Sequence, residues 1–192
     1  MDTTNTRNGL NLEQMQQTVM ALQDDPQLAL FKFRTSNQWI SGGENRSSIQ
    51  GFYGAGVEDS SRTKAFEFTN GEPPVLLGNN EGANPVEYLL HALAGCITTT
   101  TVLHASARGI TIHSISTELS GDIDVQGLLD LDADVAVGYQ GITVNMRIEA
   151  DCSDGELDEL LAFSKAHSPM CSTVCRPVPV TLNRITAQQR VA

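Results

Sequence analysis

The amino-acid sequence predicts an α+β fold, with helices packed against a largely antiparallel sheet. Three observations carry this. One long apolar helical stretch occupies residues 84–108. Segments of alternating apolar and polar residues lie on both sides of it, so the order reads strands, long helix, strands, helix, strand. The chain's 192 residues, 40% of them hydrophobic, are enough for a sizeable core in one domain, with or without an appended element.

Residues 1–10 are polar and are expected to fray. Leu12, Met15, Val19 and Leu22 recur at helical spacing, and Asn11 with Gln14 forms a candidate capping box. Asp24-Asp25-Pro26 ends that helix. Residues 1–25 are therefore an N-terminal extension with a short helix, and residues 26–192 are the main domain. Period-two alternation predicts a strand over 28–35, and a second runs from Asn37 to Ser41. Gly42-Gly43-Glu44-Asn45 is a turn signal, with Ser47 to Tyr53 as the return strand. Residues 54–63 read as an irregular loop, and Lys64 to Thr69 alternates again.

Asn84 is a suitable N-cap and Pro85 suits the first helical position, so a helix starts there. It is apolar nearly all round, which predicts burial, and Gly109 is its candidate C-cap. About 24 residues span roughly 36 Å. Thr98 to Thr101 are poor helix formers, so packing must hold that stretch. Ile110 to Leu119 and Ile142 to Ala150 alternate strongly; the acidic segment between them is expected to be a solvated excursion. Ser153 begins a helix that runs to about His167, Ser168-Pro169 starts a short one, and Val178 to Ile185 is a final strand.

The net charge of −11 and a pI of about 4.6 exclude a role that depends on binding phosphate backbones. No run is expected to reach the roughly 20 apolar residues of a membrane span. The N-terminus lacks the pattern of a signal peptide, so a cytoplasmic, reducing location is expected. Cys96, Cys152, Cys171 and Cys175 are then not expected to form permanent disulfides. Zinc favours C-x-x-C pairs, and none is present, so no metal is expected.

The segment GANPVEYLLHALAGC, residues 82–96, resembles the central-helix signature of the OsmC/Ohr proteins. Its shared features are Asn-Pro, a glutamate, an apolar stretch, then small residues before a cysteine. KAHSPMCSTVCRPVPVTL, residues 165–182, resembles the family's second motif, in which a short helix leads to the last strand. The agreement extends over about residues 37–187. The resemblance implies a largely antiparallel sheet wrapped around a long buried central helix, in an intertwined homodimer with each site at the interface. It also implies reduction of organic hydroperoxides by a reactive cysteine on that helix and a second, resolving cysteine at the start of the short helix. The reductant would be a dithiol, such as a lipoyl-carrying protein, with no cofactor.

On this resemblance Cys96 holds the peroxidatic position. Such a thiol needs a lowered pKa and a donor for the leaving alkoxide. Arg46, after the Gly-Gly turn, is the first candidate for that donor and Arg62 the second. Three departures are visible. Ser168 stands at the resolving position, and serine forms no disulfide, which leaves Cys171, three residues on, as a substitute. The position ten before the cysteine is Val86, with Glu87 nine before and projecting to the opposite side of the helix. The loop 42–63 leaves the arginine loosely placed. His91, one turn after Glu87, and His167, before the Ser-Pro cap, are candidate substrate-binding residues, together with Ser168.

Each candidate has a structural alternative. A cysteine in an apolar helix is commonly a small core residue. Glu87 and His91 form a candidate i,i+4 pair; His104 is expected to pack; Ser168 is also a helix cap. Three functions stay open: a thiol-dependent organic hydroperoxide reductase, a non-catalytic dimer binding a small hydrophobic molecule, and a redox sensor.

Overall fold

The computed structural model describes residues 5–185. It is a mixed α+β structure in which every strand ladder is antiparallel. Among the described residues the strands form four separate sheets rather than one continuous sheet.

The chain opens on a hairpin, β1 (Thr6–Arg7) with β2 (Leu10–Asn11). Asn8 and Gly9, both at positive φ, make its turn. The expectation of a frayed start is corrected over residues 5–10, because Asn8 is tied into the domain. Its Nδ2 donates to Ser106 Oγ (3.0 Å) and the Ile110 carbonyl (2.9 Å), and its Oδ1 accepts from the Ile112 amide (2.8 Å). Asn11 caps α1 (Leu12–Asp24) by accepting from Gln14 N.

The expected strand at 28–35 does not form. Asp25 caps a 3-10 turn over Pro26–Ala29, and beyond it only Lys32 bridges to Tyr53. The apolar residues of that alternation, Phe31 and Phe33, stack with Phe52 and stay half or more exposed, so no buried face fixes a ladder. β3 (Ser36–Ser41), β4 (Glu44–Ile49) and β7 (Phe66–Asn70) make a three-stranded sheet with β4 in the middle. The return strand expected over 47–53 breaks at Gln50-Gly51. Its far end, β5 (Phe52–Gly54), pairs instead with β6 (Val57–Asp59), inside the stretch read as a loop.

α2 (Pro85–Ala107) begins at a complete capping box between Asn84 and Glu87. Its end is a Schellman motif: the Gly109 amide bonds to the Ser106 carbonyl and the Ile110 amide to the Ala105 carbonyl. Gly109 sits at φ +81, a conformation that costs glycine little. Burial within the chain is one-sided, through Leu93, Ile97, Thr100, Thr101, Ala105 and Ser106, against β8, α4 and α5. Burial all round is therefore not met within one chain. By length and composition α2 also suffices to cross a membrane, which corrects the expectation that no run does. Within the chain it packs on β8, α4 and α5.

β8 (Ile112–Asp122) and β9 (Gly141–Ala150) form the longest ladder. Between them lies one helical turn, α3 (Val125–Leu128), in a mostly exposed acidic excursion. α4 (Asp154–His167) starts at a Ser153–Glu156 capping box, and α5 (Pro169–Cys175) follows directly. Two apolar clusters make the core. Leu93, Ile97 and Cys171 pack with Leu119, Val144 and Met146; Ala105, Ile110 and Leu160 pack with Ile112 and Cys152. The strand expected over Val178–Ile185 forms no ladder: no sheet edge of the same chain receives it, and Val180 and Leu182 are 90% and 96% exposed.

Candidate active site

Ser168 stands at the junction of two helices, closing α4 and capping α5, with Pro169 at the first helical position after it. This local rule, a hydroxyl before proline, brings the residue to zero exposure beneath α2. Its Oγ accepts from the Cys171 amide (3.3 Å) and donates to Cys96 Sγ (3.3 Å). The Met170 amide donates to the same sulfur (3.4 Å). Cys96, half-buried, thus has two donors aimed at it in a chain of polarised bonds.

The other side of Cys96 faces an open groove of about 590 Å³, walled by Thr99, Leu103, His104, His167 and Pro169 among others. His167 stacks on Phe163, with ring centroids 3.7 Å apart. Its Nδ1 lies 2.8 Å from the Phe163 carbonyl. A carbonyl only accepts, so Nδ1 carries the proton and Nε2 is left free. His104 meets both rings edge-on. Burial, and then the nearby His167 and Arg108, push its pKa below the usual histidine value.

Across α5 lies a second, apolar groove of about 370 Å³, bordered by Leu93, Ile97, Val144, Met146, Lys165 and the thiols of Cys171 and Cys175. Those two sulfurs are 3.9 Å apart. Cys171 is 7% exposed, and Cys175 is exposed. Burial chiefly, then the hydrogen bond to Cys175, pushes the Cys171 thiol up.

Of the residues picked from sequence, Cys96, Cys171, Ser168 and His167 come together here. Arg46 does not join them: it pairs with Glu44 on its own strand (2.9 Å). Arg62 lies over the Phe52 and Phe66 rings and donates to the Gln50 carbonyl. Among the described residues no hydrogen bond or ion pair links either guanidinium to Cys96. Glu87 is held by its capping role, accepting from the Asn84 amide (2.8 Å), and no pair with the exposed His91 forms. His104, expected only to pack, borders the groove, and nothing in its sequence neighbourhood signals this. Cys152 packs in the core as a small apolar residue. Among the described residues no three His, Cys, Asp or Glu side chains are placed to hold a metal ion.

Comparison with known proteins agrees with this architecture. The structure is similar to an OsmC-like protein from Mycoplasma pneumoniae, with 21% identity, a TM-score of 0.58, and coverage of 75% of this chain and 87% of that one. It is also similar to an organic hydroperoxide resistance protein OsmC from Legionella pneumophila, with 14% identity, a TM-score of 0.53, and coverage of 74% and 89%. At these identities the likeness shows the fold. No curated protein matches the chain. A family model described as OsmC-like protein matches residues 78–183, which include α2, the Ser-Pro junction and the lining of both grooves except Leu10. That match spans more than half of the sequence, and the chain belongs to the OsmC-like protein family.

Proposed function

We propose that the protein reduces organic hydroperoxides through Cys96, in a homodimer whose second subunit closes the groove beside that sulfur. One observation carries the reading: Cys96 Sγ receives hydrogen bonds from Ser168 Oγ and the Met170 amide while bordering an open apolar groove. As a thiolate this sulfur is the nucleophile that attacks the distal peroxide oxygen. The sulfur becomes a sulfenic acid, and an alcohol leaves. The apolar walls suit a small hydrophobic peroxide. Turnover then needs a thiol, supplied by Cys171 and renewed by an external dithiol such as a lipoyl-carrying protein.

The test gives the reduced protein one equivalent of cumene hydroperoxide and follows mass and free thiols. Loss of two thiols per chain, abolished by Cys96→Ser, is the expected result. A stable gain of one oxygen indicates a one-cysteine cycle or a sensor. An unreacted protein removes the peroxidase reading.

A second reading is favoured by the 370 Å³ apolar groove and by the lack, among the described residues, of any guanidinium joined to Cys96: a dimer that binds a small hydrophobic molecule without reacting. Binding of an apolar fluorescent probe that survives Cys96→Ser, with no peroxide consumed, would select it.

A further inference from the structure

Three sulfurs are arranged in sequence from groove to surface. Cys96 borders the open groove on one side of α5. Cys171 lies under that helix, packed against Leu93 and Ile97, and its amide is two hydrogen bonds, each 3.3 Å, from the Cys96 sulfur through Ser168 Oγ. Cys175, one turn on, is exposed, with its sulfur 3.9 Å from that of Cys171. Cys175 has no part in the proposed chemistry so far, yet it is the member of the trio that a bulky reductant can reach.

We infer that Cys175 ends a thiol relay: oxidation begun at Cys96 passes through Cys171 and comes to rest as a Cys171–Cys175 disulfide on the outer face of α5, where the external dithiol acts. The inference rests on the peroxide reading above. In the first step the Cys96 thiol loses its proton and the thiolate takes the distal peroxide oxygen with its hydrogen; the O–O bond breaks, the sulfur is oxidised to the sulfenic acid, and the leaving alkoxide takes up the released proton to become an alcohol. Next the Cys171 sulfur attacks the sulfenic sulfur, forming an S–S bond, and hydroxide leaves with the Cys171 proton as water. The Cys175 thiolate then attacks the Cys171 sulfur of that bond, and Cys96 departs as a thiolate. Finally a reduced dithiol exchanges with the Cys171–Cys175 bond, leaving oxidised dithiol and two protein thiols.

The direction of the third step follows from the surroundings of each sulfur. Exchange expels the sulfur that better carries negative charge. Cys96 has the Ser168 hydroxyl and the Met170 amide ready to receive that charge, whereas Cys171 packs against Leu93 and Ile97, and burial and the bond to Cys175 push its thiol up against the opposing pull of Lys165. A negative Cys96 sulfur also opposes charge on Cys171, as expected of close neighbours. Accessibility supplies the need for the relay. A Cys96–Cys171 bond would lie beside Ser168, which is fully buried, out of reach of a macromolecular reductant. Closing the final pair requires the last turn of α5 to give, since Cβ atoms four apart on a helix are about 5–6 Å apart and a disulfide needs about 3.5–4.5 Å. Cys175 is the final residue of α5 and Arg176 is already extended, so that turn is where the helix can yield.

The experiment oxidises the full chain with cumene hydroperoxide, alkylates free thiols and digests with trypsin. Arg176 precedes Pro177 and resists trypsin, so cleavage after Lys165 and Arg184 leaves Cys171 and Cys175 in one peptide and Cys96 in another. The expected product is the 166–184 peptide lighter by two hydrogens, with Cys96 alkylated. Cys175→Ser, an exposed change, should consume its first equivalent of peroxide at the normal rate and stop at a Cys96–Cys171 cross-link. Its steady-state turnover with a dihydrolipoyl-carrying protein as the reductant should fall at least tenfold. The relay is overturned by a Cys96–Cys171 cross-link as the stable wild-type product, by an intact 166–184 dithiol beside oxidised Cys96, or by normal turnover of Cys175→Ser. It is also overturned if Cys96→Ser oxidises the pair as fast as wild type. A wild-type protein that consumes no peroxide overturns the relay and the function beneath it together.

Discussion

Ser168 shares one hydroxyl between a helix cap and a sulfur. Ser168→Ala removes the donor to Cys96 and the acceptor for the Cys171 amide. A hydrogen bond to a charged group is worth about 1.5–3 kcal/mol, so the first-turnover rate with cumene hydroperoxide should fall roughly tenfold or more. Stopped-flow peroxide consumption measures this, and a rate within twofold of wild type would show that the hydroxyl only caps α5. Ser164, one turn earlier, is the opposite case. It is fully buried and its Oγ has no hydrogen-bond partner. Ser164→Ala should therefore raise stability by up to about 1 kcal/mol, read as a higher urea midpoint at unchanged slope. His104 adds a pH dependence. Its pKa is lower folded than unfolded, so the unfolded chain binds more protons and the histidine's contribution is complete above about pH 6.5. That contribution is lost as pH falls from there through the lowered folded value. His104→Phe should flatten the fall in melting temperature over that window. The local part of the site was legible in the sequence: a Ser-Pro junction read by helix-capping rules places Ser168, and with it Cys171, against the central helix. Arg46 and His91 were not legible in their roles, because their partners depend on side-chain direction across a sheet and along a helix face rather than on spacing.

The elements whose ends carry chemical signals came out as read. Asn84-Pro85, Ser153 with Glu156, and Gly109 mark the ends of α2 and the start of α4, and the alternating runs of β8 and β9 pair with one face buried. The failures lie where a segment has no buried face within the chain. Residues 28–35 and 178–185 alternate properly but remain largely exposed, so nothing fixes a register. The Asn8-Gly9 dipeptide carried a hairpin signal that the polar composition around it obscured. That hairpin is more than a frayed end. Asn8 satisfies three polar groups at the exit of α2 and the start of β8. Asn8→Ala leaves them partly unmet and forces alanine into a positive φ, and it should destabilise the fold by about 2 kcal/mol. Chemical denaturation would show this, and a change below 0.5 kcal/mol would mean that water replaces the side chain freely.

For the whole molecule, the homodimer proposed above needs a surface, and one chain leaves a candidate bare. Ala92, Gly95, Thr99 and Leu103 follow one another along an exposed stripe of α2, and a side chain added at Gly95 would meet nothing within the chain. The terminal segment holding Val180 and Leu182 is also bare, and exposure of that kind marks an interaction surface. Small residues let a partner helix approach closely, and Cys96 lies on α2 between Gly95 and Ile97, so the same approach would roof its groove. The native protein should sediment at twice 20.7 kDa. Gly95→Leu, which has open space within its own chain, should keep its helical circular dichroism, shift to the single-chain mass and lose peroxide turnover with the groove unroofed. A wild-type protein of single-chain mass would dispose of the dimer. A Gly95→Leu dimer with full activity would instead move the interface off this face of α2 and leave the Cys96 groove to be closed by the apolar terminal segment.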